Sequence, residues 1–156
     1  MSEAIMKFQD IKPGDVVYRL VNVMIGFKSG PTFFLPVKVD RVTKTQIIAE
    51  GGRRKKNDGG PIGNMRSKVY KEGELVGSYG KVFDQSEQYR SYKNLLAQLT
   101  GVSTVFTRLS QYVASNRALL SHQPEVVEKL TELQKAAKQL LEQTEEIPNP
   151  PNLPVD

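Results

Sequence analysis

Residues 53–56 read Arg53-Arg54-Lys55-Lys56, four consecutive cations, with Lys44, Arg66, Lys68 and Lys71 flanking them in the chain. Guanidinium and ammonium groups only donate hydrogen bonds and keep their charge at neutral pH. The chemistry they offer is attraction of anions, phosphate above all. Successive side chains on a strand point to opposite faces, so a small β-structure cannot bury all four. The expectation is a protruding basic hairpin in which Lys44, Arg53, Arg54, Lys55, Lys56, Arg66 and Lys68 meet phosphates. The plainer alternative is an edge strand made soluble by its lysines. A second group is aromatic. Phe33 and Phe34, with Tyr18 and Phe27, either stack on single-stranded bases or fill a small core, and Phe33 or Phe34 is the expected exposed ring.

The residue types that run reactions are thin on the ground. There is one histidine, His122, and no cysteine, which removes thiolate nucleophiles, thiolate metal sites and disulfides. His122 falls in an expected turn between helices, with no Gly-x-Ser-x-Gly elbow elsewhere to accompany it. Asp10, Asp15, Asp40 and Asp58 each stand alone among basic or apolar neighbours, and Glu145-Glu146 reads as a solvated pair. The glycine-rich stretches Gly51-Gly52-Arg53-Arg54 and Gly59 to Gly63 lack the lysine-hydroxyl ending of a phosphate loop. Binding without catalysis, metal or cofactor is therefore expected.

What must position the basic cluster is legible from composition. Of 12 glycines, 11 fall within residues 7–83 and only Gly101 lies beyond. That punctuation marks short strands and turns. Pro13-Gly14 precedes a strand opening near Asp15, and the apolar run from Arg19 to Phe27 either continues it or folds back. Ser29-Gly30-Pro31 reads as a turn and Phe33 to Val42 as a strand. Thr43-Lys44-Thr45 leads into Gln46–Glu50, Gly51-Gly52 turns into the basic run, Asn57 to Gly60 turns again, and Ser67–Tyr70 closes the set. About five short strands at this spacing suggest a small twisted barrel, whose closure removes exposed edges.

From residue 84 the composition is helical. Ser86 reads as an N-cap, with Asp84 and Glu87 near the positive end of the helix dipole. Tyr92, Leu95 or Leu96, Leu99, Val102, Phe106, Leu109, Val113 and Leu120 draw one stripe in steps of three and four, and Gly101 marks a place where the helix can bend. Ser121 to Pro124 breaks the pattern and Pro124 suits a new first turn. Leu130, Leu133, Ala137 and Leu140 then form a coiled-coil-like seam, the expected helix interface. The short connection implies an antiparallel helical hairpin. Residues 147–156 hold four prolines and read as an extended, disordered tail. The division is thus a basic β-module over 1–83, a helical hairpin over 84–146 and a Pro-rich tail over 147–156.

Charge follows the same division. Residues 1–83 carry 15 Lys and Arg against 8 Asp and Glu, and residues 84–156 carry 7 against 9. A front half at +7 draws nucleic acid or acidic protein surfaces. No apolar run approaches the roughly 18 residues of a membrane span, and the N-terminus lacks a secretory pattern, so a cytoplasmic protein is expected.

Lys12-Pro13-Gly14-Asp15-Val16-Val17, then Val39 to Ile48, then Gly52-Arg53-Arg54 and Gly59 to Gly63, resembles the small SH3-like β-barrel modules often encoded by bacteriophages. The resemblance covers residues 8–70 and leaves out the helices. It implies an N-terminal SH3-like barrel that binds nucleic acid (DNA or RNA), ribosomal components or protein partners; with the antiparallel helical hairpin read from the spacing, the expected class is α+β. Two functions follow as expectations. One is a nucleic-acid-binding accessory protein that grips phosphates with the basic hairpin and forms a homodimer or recruits a partner through its helices. The other is a protein-binding modulator, such as a phage-encoded inhibitor or adaptor of a host enzyme, acting through the helical hairpin and Pro-rich tail.

Overall fold

The computed structural model describes residues 6–63 and 67–145, so Arg66 and the Pro-rich segment lie outside the described residues. The chain is α+β: an N-terminal antiparallel sheet curled into a half-barrel, followed by helices. It divides into two compact units, the first running to Ser91 and the second beginning at Tyr92.

β1 (Val16–Ile25) and β2 (Lys28–Val42) pair from Val16↔Lys38 to Ile25↔Lys28. Their two-residue connection is Gly26-Phe27, with Gly26 at φ +61°. The run after Tyr18 therefore continues the first strand. The turn expected at Ser29-Gly30-Pro31 is instead part of β2. Gly30 is there for close approach, since a Cβ would stand 2.2 Å from the Val23 carbonyl oxygen. Pro31 adjoins the register shift between Asn22 and Met24, where a ladder tolerates a missing N–H.

β3 (Gln46–Ala49), β4 (Gly52–Lys55), β5 (Pro61–Ile62) and β6 (Val69–Tyr70) complete the sheet, in the order β5-β4-β3-β2-β1-β6. Its two ends approach each other. The Val69 N–H donates to the carbonyl of Gly59 at 3.0 Å, joining the start of β6 to the residues that lead into β5.

Two apolar layers hold this sheet. Val17 and Tyr18 are successive on β1, so they face opposite ways, yet both are buried. Val17 packs inside the curl with Phe8, Val37, Val39, Ile47, Ala49 and Val69. Tyr18 packs on the other side with Phe34 and Val82, supported by Leu20, Tyr70, Val76 and Tyr79. Each fully buried Val, Ile or Phe is worth roughly 1.5–3 kcal/mol against exposure. The second layer exists because residues 71–83, which include a 3₁₀ turn at Gly77–Tyr79, fold back over β1 and β2.

α1 (Ser86–Ser115) is tied to the sheet at its first turn. The Asp84 carboxylate accepts from the Ser86 N–H at 2.9 Å and from its hydroxyl at 2.6 Å, so Asp84 rather than Ser86 supplies the capping oxygen. Gln85 and Phe34 bond reciprocally. The Phe34 N–H donates to Gln85 Oε1 at 2.7 Å, and the Gln85 N–H donates to the Phe34 carbonyl at 3.0 Å. The ring of Tyr89 meets Phe33 edge-on at 5.7 Å. These contacts carry the first unit past residue 83 and into α1.

The second unit contains the rest of α1, α2 (Arg117–Leu120) and α3 (Pro124–Glu145). A break before Pro124 is present, and a further one occurs at Asn116. There the side-chain Nδ2 donates to the Tyr112 carbonyl at 2.8 Å, competing with the helical ladder. α2 and α3 are in close backbone contact, whereas α1 and α3 line a common open cleft. Of the expected interface, Leu130 and Ala137 are half-buried, while Leu133 and Leu140 are exposed.

Candidate nucleic-acid interface

The β3–β4 turn decides which basic side chains reach solvent. Ala49 pairs with Gly52, leaving Glu50 and Gly51 at the corner with φ of +50° and +67°. This is the doubly left-handed two-residue turn whose twist suits a hairpin. Ile47, Ala49, Gly52 and Arg54 then share the inner face, and Gln46, Ile48, Arg53 and Lys55 the outer.

Arg54 therefore points inward and is fully buried. Its Nε donates to the Ser67 carbonyl at 3.0 Å and its Nη1 to the Ala49 carbonyl at 2.9 Å. A guanidinium so placed serves as a strut inside the half-barrel. This corrects the expectation that Arg54 contacts phosphate: its Nε and Nη1 are held by backbone carbonyls and none of its surface is accessible.

Arg53 and Lys55 stand exposed on the outer face. Arg53 lies opposite Ile48 on one side and Ile62 on the other, and Ile48 in turn lies opposite Arg41. Arg41 and Arg53 are thus two strands apart in one row, about 10 Å. Lys38 and Lys44 are exposed on β2 and on its connection to β3. Against these five cations the exposed carboxylates over residues 38–56 are Asp40 and Glu50, and Glu50 is paired with Arg19 Nε at 3.2 Å. Among the described residues no ion pair involves Lys38, Arg41, Lys44, Arg53 or Lys55.

Lys56 is half-buried, its backbone bonded to Thr45 and Phe8. Lys68 is exposed, with its Nζ 5.7 Å above the Tyr70 ring. Arg66 lies outside the described residues. The outward turn of Arg41 is hidden in the sequence because a register shift between Val39 and Arg41 resets which face the following residues take. A bulge of this kind leaves no compositional mark.

The aromatic candidates also separate. Phe34 is buried and contacts Tyr70 edge-on at 6.0 Å. Phe33 is half-buried against Tyr89, and Tyr18 belongs to the second apolar layer. This corrects the expectation that Phe33 or Phe34 is the exposed ring. Phe27 is the exposed one, at 105% of the reference area, on the β1–β2 tip beside Lys28, with Met24 and Ile25 also exposed.

His122 is exposed in the turn before α3. Among the described residues no group of three or more His, Asp or Glu could hold a metal ion, and no helix is long and apolar enough to cross a membrane. Compared with protein-family models, curated proteins and solved structures, the chain matches none.

Proposed function

We propose that the chain is a non-enzymatic nucleic-acid-binding accessory protein that holds the phosphate backbone against the outer face of β2–β4. One observation carries this reading: Lys38, Arg41, Lys44, Arg53 and Lys55 are exposed, free of ion pairs among the described residues, and opposed within residues 38–56 by Asp40 alone once Glu50 is paired with Arg19. Cations displayed on a rigid sheet attract a polyanion at little cost in ordering their backbone. The apolar layer beneath keeps the row in register, and the Arg54 strut fixes the strand that carries two of its members. Phe27 adds a ring on which an unpaired base can stack, worth roughly 1–3 kcal/mol per base. The curl of the sheet around Val17, Val37 and Ile47 agrees with an SH3-like barrel, the fold that the opening Lys12–Val17 and the glycine turns resemble.

Fluorescence anisotropy tests the reading with labelled duplex DNA, single-stranded DNA and RNA of mixed sequence at about 50 mM salt. The wild-type chain binds at least one of the three. Arg53→Ala with Lys55→Ala weakens that binding at least about tenfold, to the same degree across sequences, because phosphate contacts carry no base information. Absence of binding to all three overturns the proposal. If a pull-down then retains a protein after nuclease treatment, the basic face serves an acidic protein surface instead.

A further inference from the structure

The longest element in the chain has an apolar stripe with nothing over much of it. Leu95, Leu99, Val102, Phe106, Leu109 and Val113 of α1 alternate steps of four and three. Val126, Leu130, Leu133, Ala137 and Leu140 of α3 do the same. The mean period of 3.5 is that of helices supercoiled on one another, not of a helix resting on a globular body. Yet no residue of α1 is buried, and Leu95, Leu99 and Val102 keep more than half their area in solvent. On α3, Leu140 and Leu141 are as exposed.

The two stripes face a cleft of about 1070 Å³, floored by Leu120 and walled by Leu109 and Val113 on one side and by Val127, Leu130 and Ala137 on the other. Leu95, Leu99, Leu140 and Leu141 lie beyond that cleft, toward the ends of the two helices farthest from α2. A helix of 30 residues gains little from propensity alone, and burial of its stripe is what holds such a helix in water.

Charge says what completes the packing. α1 carries Arg90, Lys93 and Arg108 against Glu87, a balance of +2. α3 carries Glu125, Glu128, Glu132, Glu142 and Glu145 against Lys129, Lys135 and Lys138, a balance of −2. Two α1 helices laid side by side would set cation against cation, and two α3 helices carboxylate against carboxylate. An α1 laid against an α3 satisfies both, so the surface is complementary to its own copy. α3 is 22 residues, about 33 Å long. A face of that length and two helices wide offers on the order of 700 Å² per copy, near the roughly 800 Å² per partner of a standard stable interface.

We infer that two copies of this chain close each other's clefts as a four-helix bundle, the partner's α3 lying against α1 and the like-charged helices on the diagonals. The packing is the left-handed, knobs-into-holes kind that a 3.5-residue period specifies. Such a dimer also doubles the basic faces in one particle.

Sedimentation equilibrium on the nuclease-treated full chain tests this without any nucleic acid, so its outcome is separate from that of the binding reading. At about 50 µM the wild type sediments at twice the 17.5 kDa of one chain. Leu99→Glu with Val102→Glu changes two exposed positions, so the chain stays folded by circular dichroism and sediments as a monomer. Lys93→Glu with Arg108→Glu weakens the dimer at least tenfold, and mixing that variant with Glu128→Lys/Glu132→Lys restores mixed dimers. A wild type that is monomeric at this concentration, or a dimer untouched by the Leu99/Val102 pair, overturns the inference. So does a charge-reversed pair that fails to rescue.

Discussion

The Nε of Arg54 donates to the carbonyl of Ser67 across 3.0 Å, joining β4 to the residues that lead into β6. Because the same guanidinium also holds the Ala49 carbonyl, one side chain ties together three parts of the half-barrel. Arg54→Ala strands both carbonyls and opens a void, so stability falls by about 2–4 kcal/mol. Arg53→Ala, one residue away and exposed, shifts stability by no more than about 0.5 kcal/mol. Urea unfolding midpoints of the two variants make the comparison.

Gly59 is as demanding. Its φ is +77°, and a Cβ there would stand 2.3 Å from the Val69 carbonyl and 2.8 Å from the Phe8 ring. Gly59→Ala therefore breaks the approach of β6 to the far edge of the sheet. Gly63, at φ +83° with open space around it, bears only the backbone penalty. Thermal unfolding should show Gly59→Ala losing several degrees more than Gly63→Ala.

Phe27 and Phe34 separate binding from folding. Phe34→Ala empties the second apolar layer and costs about 3–5 kcal/mol. Phe27→Ala removes a ring without neighbours and leaves stability near the wild type, while affinity for single-stranded DNA falls about fivefold or more. Paired melting and anisotropy measurements distinguish the two.

Two groups give the stability a pH signature. Burial, then the charges of Glu72 and Asp84, push the Tyr18 phenol above its ordinary value of 10.0. A pKa raised on folding means stability is complete below about 10 and is lost as pH climbs through the folded value. Tyr18→Phe flattens that alkaline loss. The Ser86 hydroxyl and then its backbone N–H hold Asp84 below its ordinary 3.8. A depressed carboxyl contributes above its unfolded value and stops contributing as pH falls through the folded one. Carboxyl NMR titration should find Asp84 moving upward in Ser86→Ala.

Much of this arrangement was readable in the residues. The glycine-dense half is the sheet, and the glycine-poor half is helix with its stripe where the spacing put it. The inward turn of Arg54 was within reach too. If Ile47 faces the core, any two-residue turn sends Arg54 inward with it. The difficulty is that Ile47 and Ile48 are adjacent and equally apolar, so the sequence does not say which of them is inside, and a one-residue change of face exchanges Arg53 for Arg54. The strand through Ser29-Gly30-Pro31 was hidden for another reason. Turn chemistry and close backbone approach both select glycine, and only the Val23 carbonyl beside Gly30 tells them apart. The capping oxygen moved from Ser86 to Asp84 because both residue types cap well and sit two positions apart.

The salt dependence of binding bears most directly on the role of the basic face. Log affinity against log salt concentration should fall linearly for the wild type, with each phosphate contact adding about 0.9 to the slope on duplex DNA or about 0.7 on single strands. Arg53→Gln with Lys55→Gln should make that slope shallower by about 1.8 or 1.4 respectively. Identical slopes for the two proteins would contradict the account, because Arg53 and Lys55, the members of the basic row on β4, would then hold no phosphate.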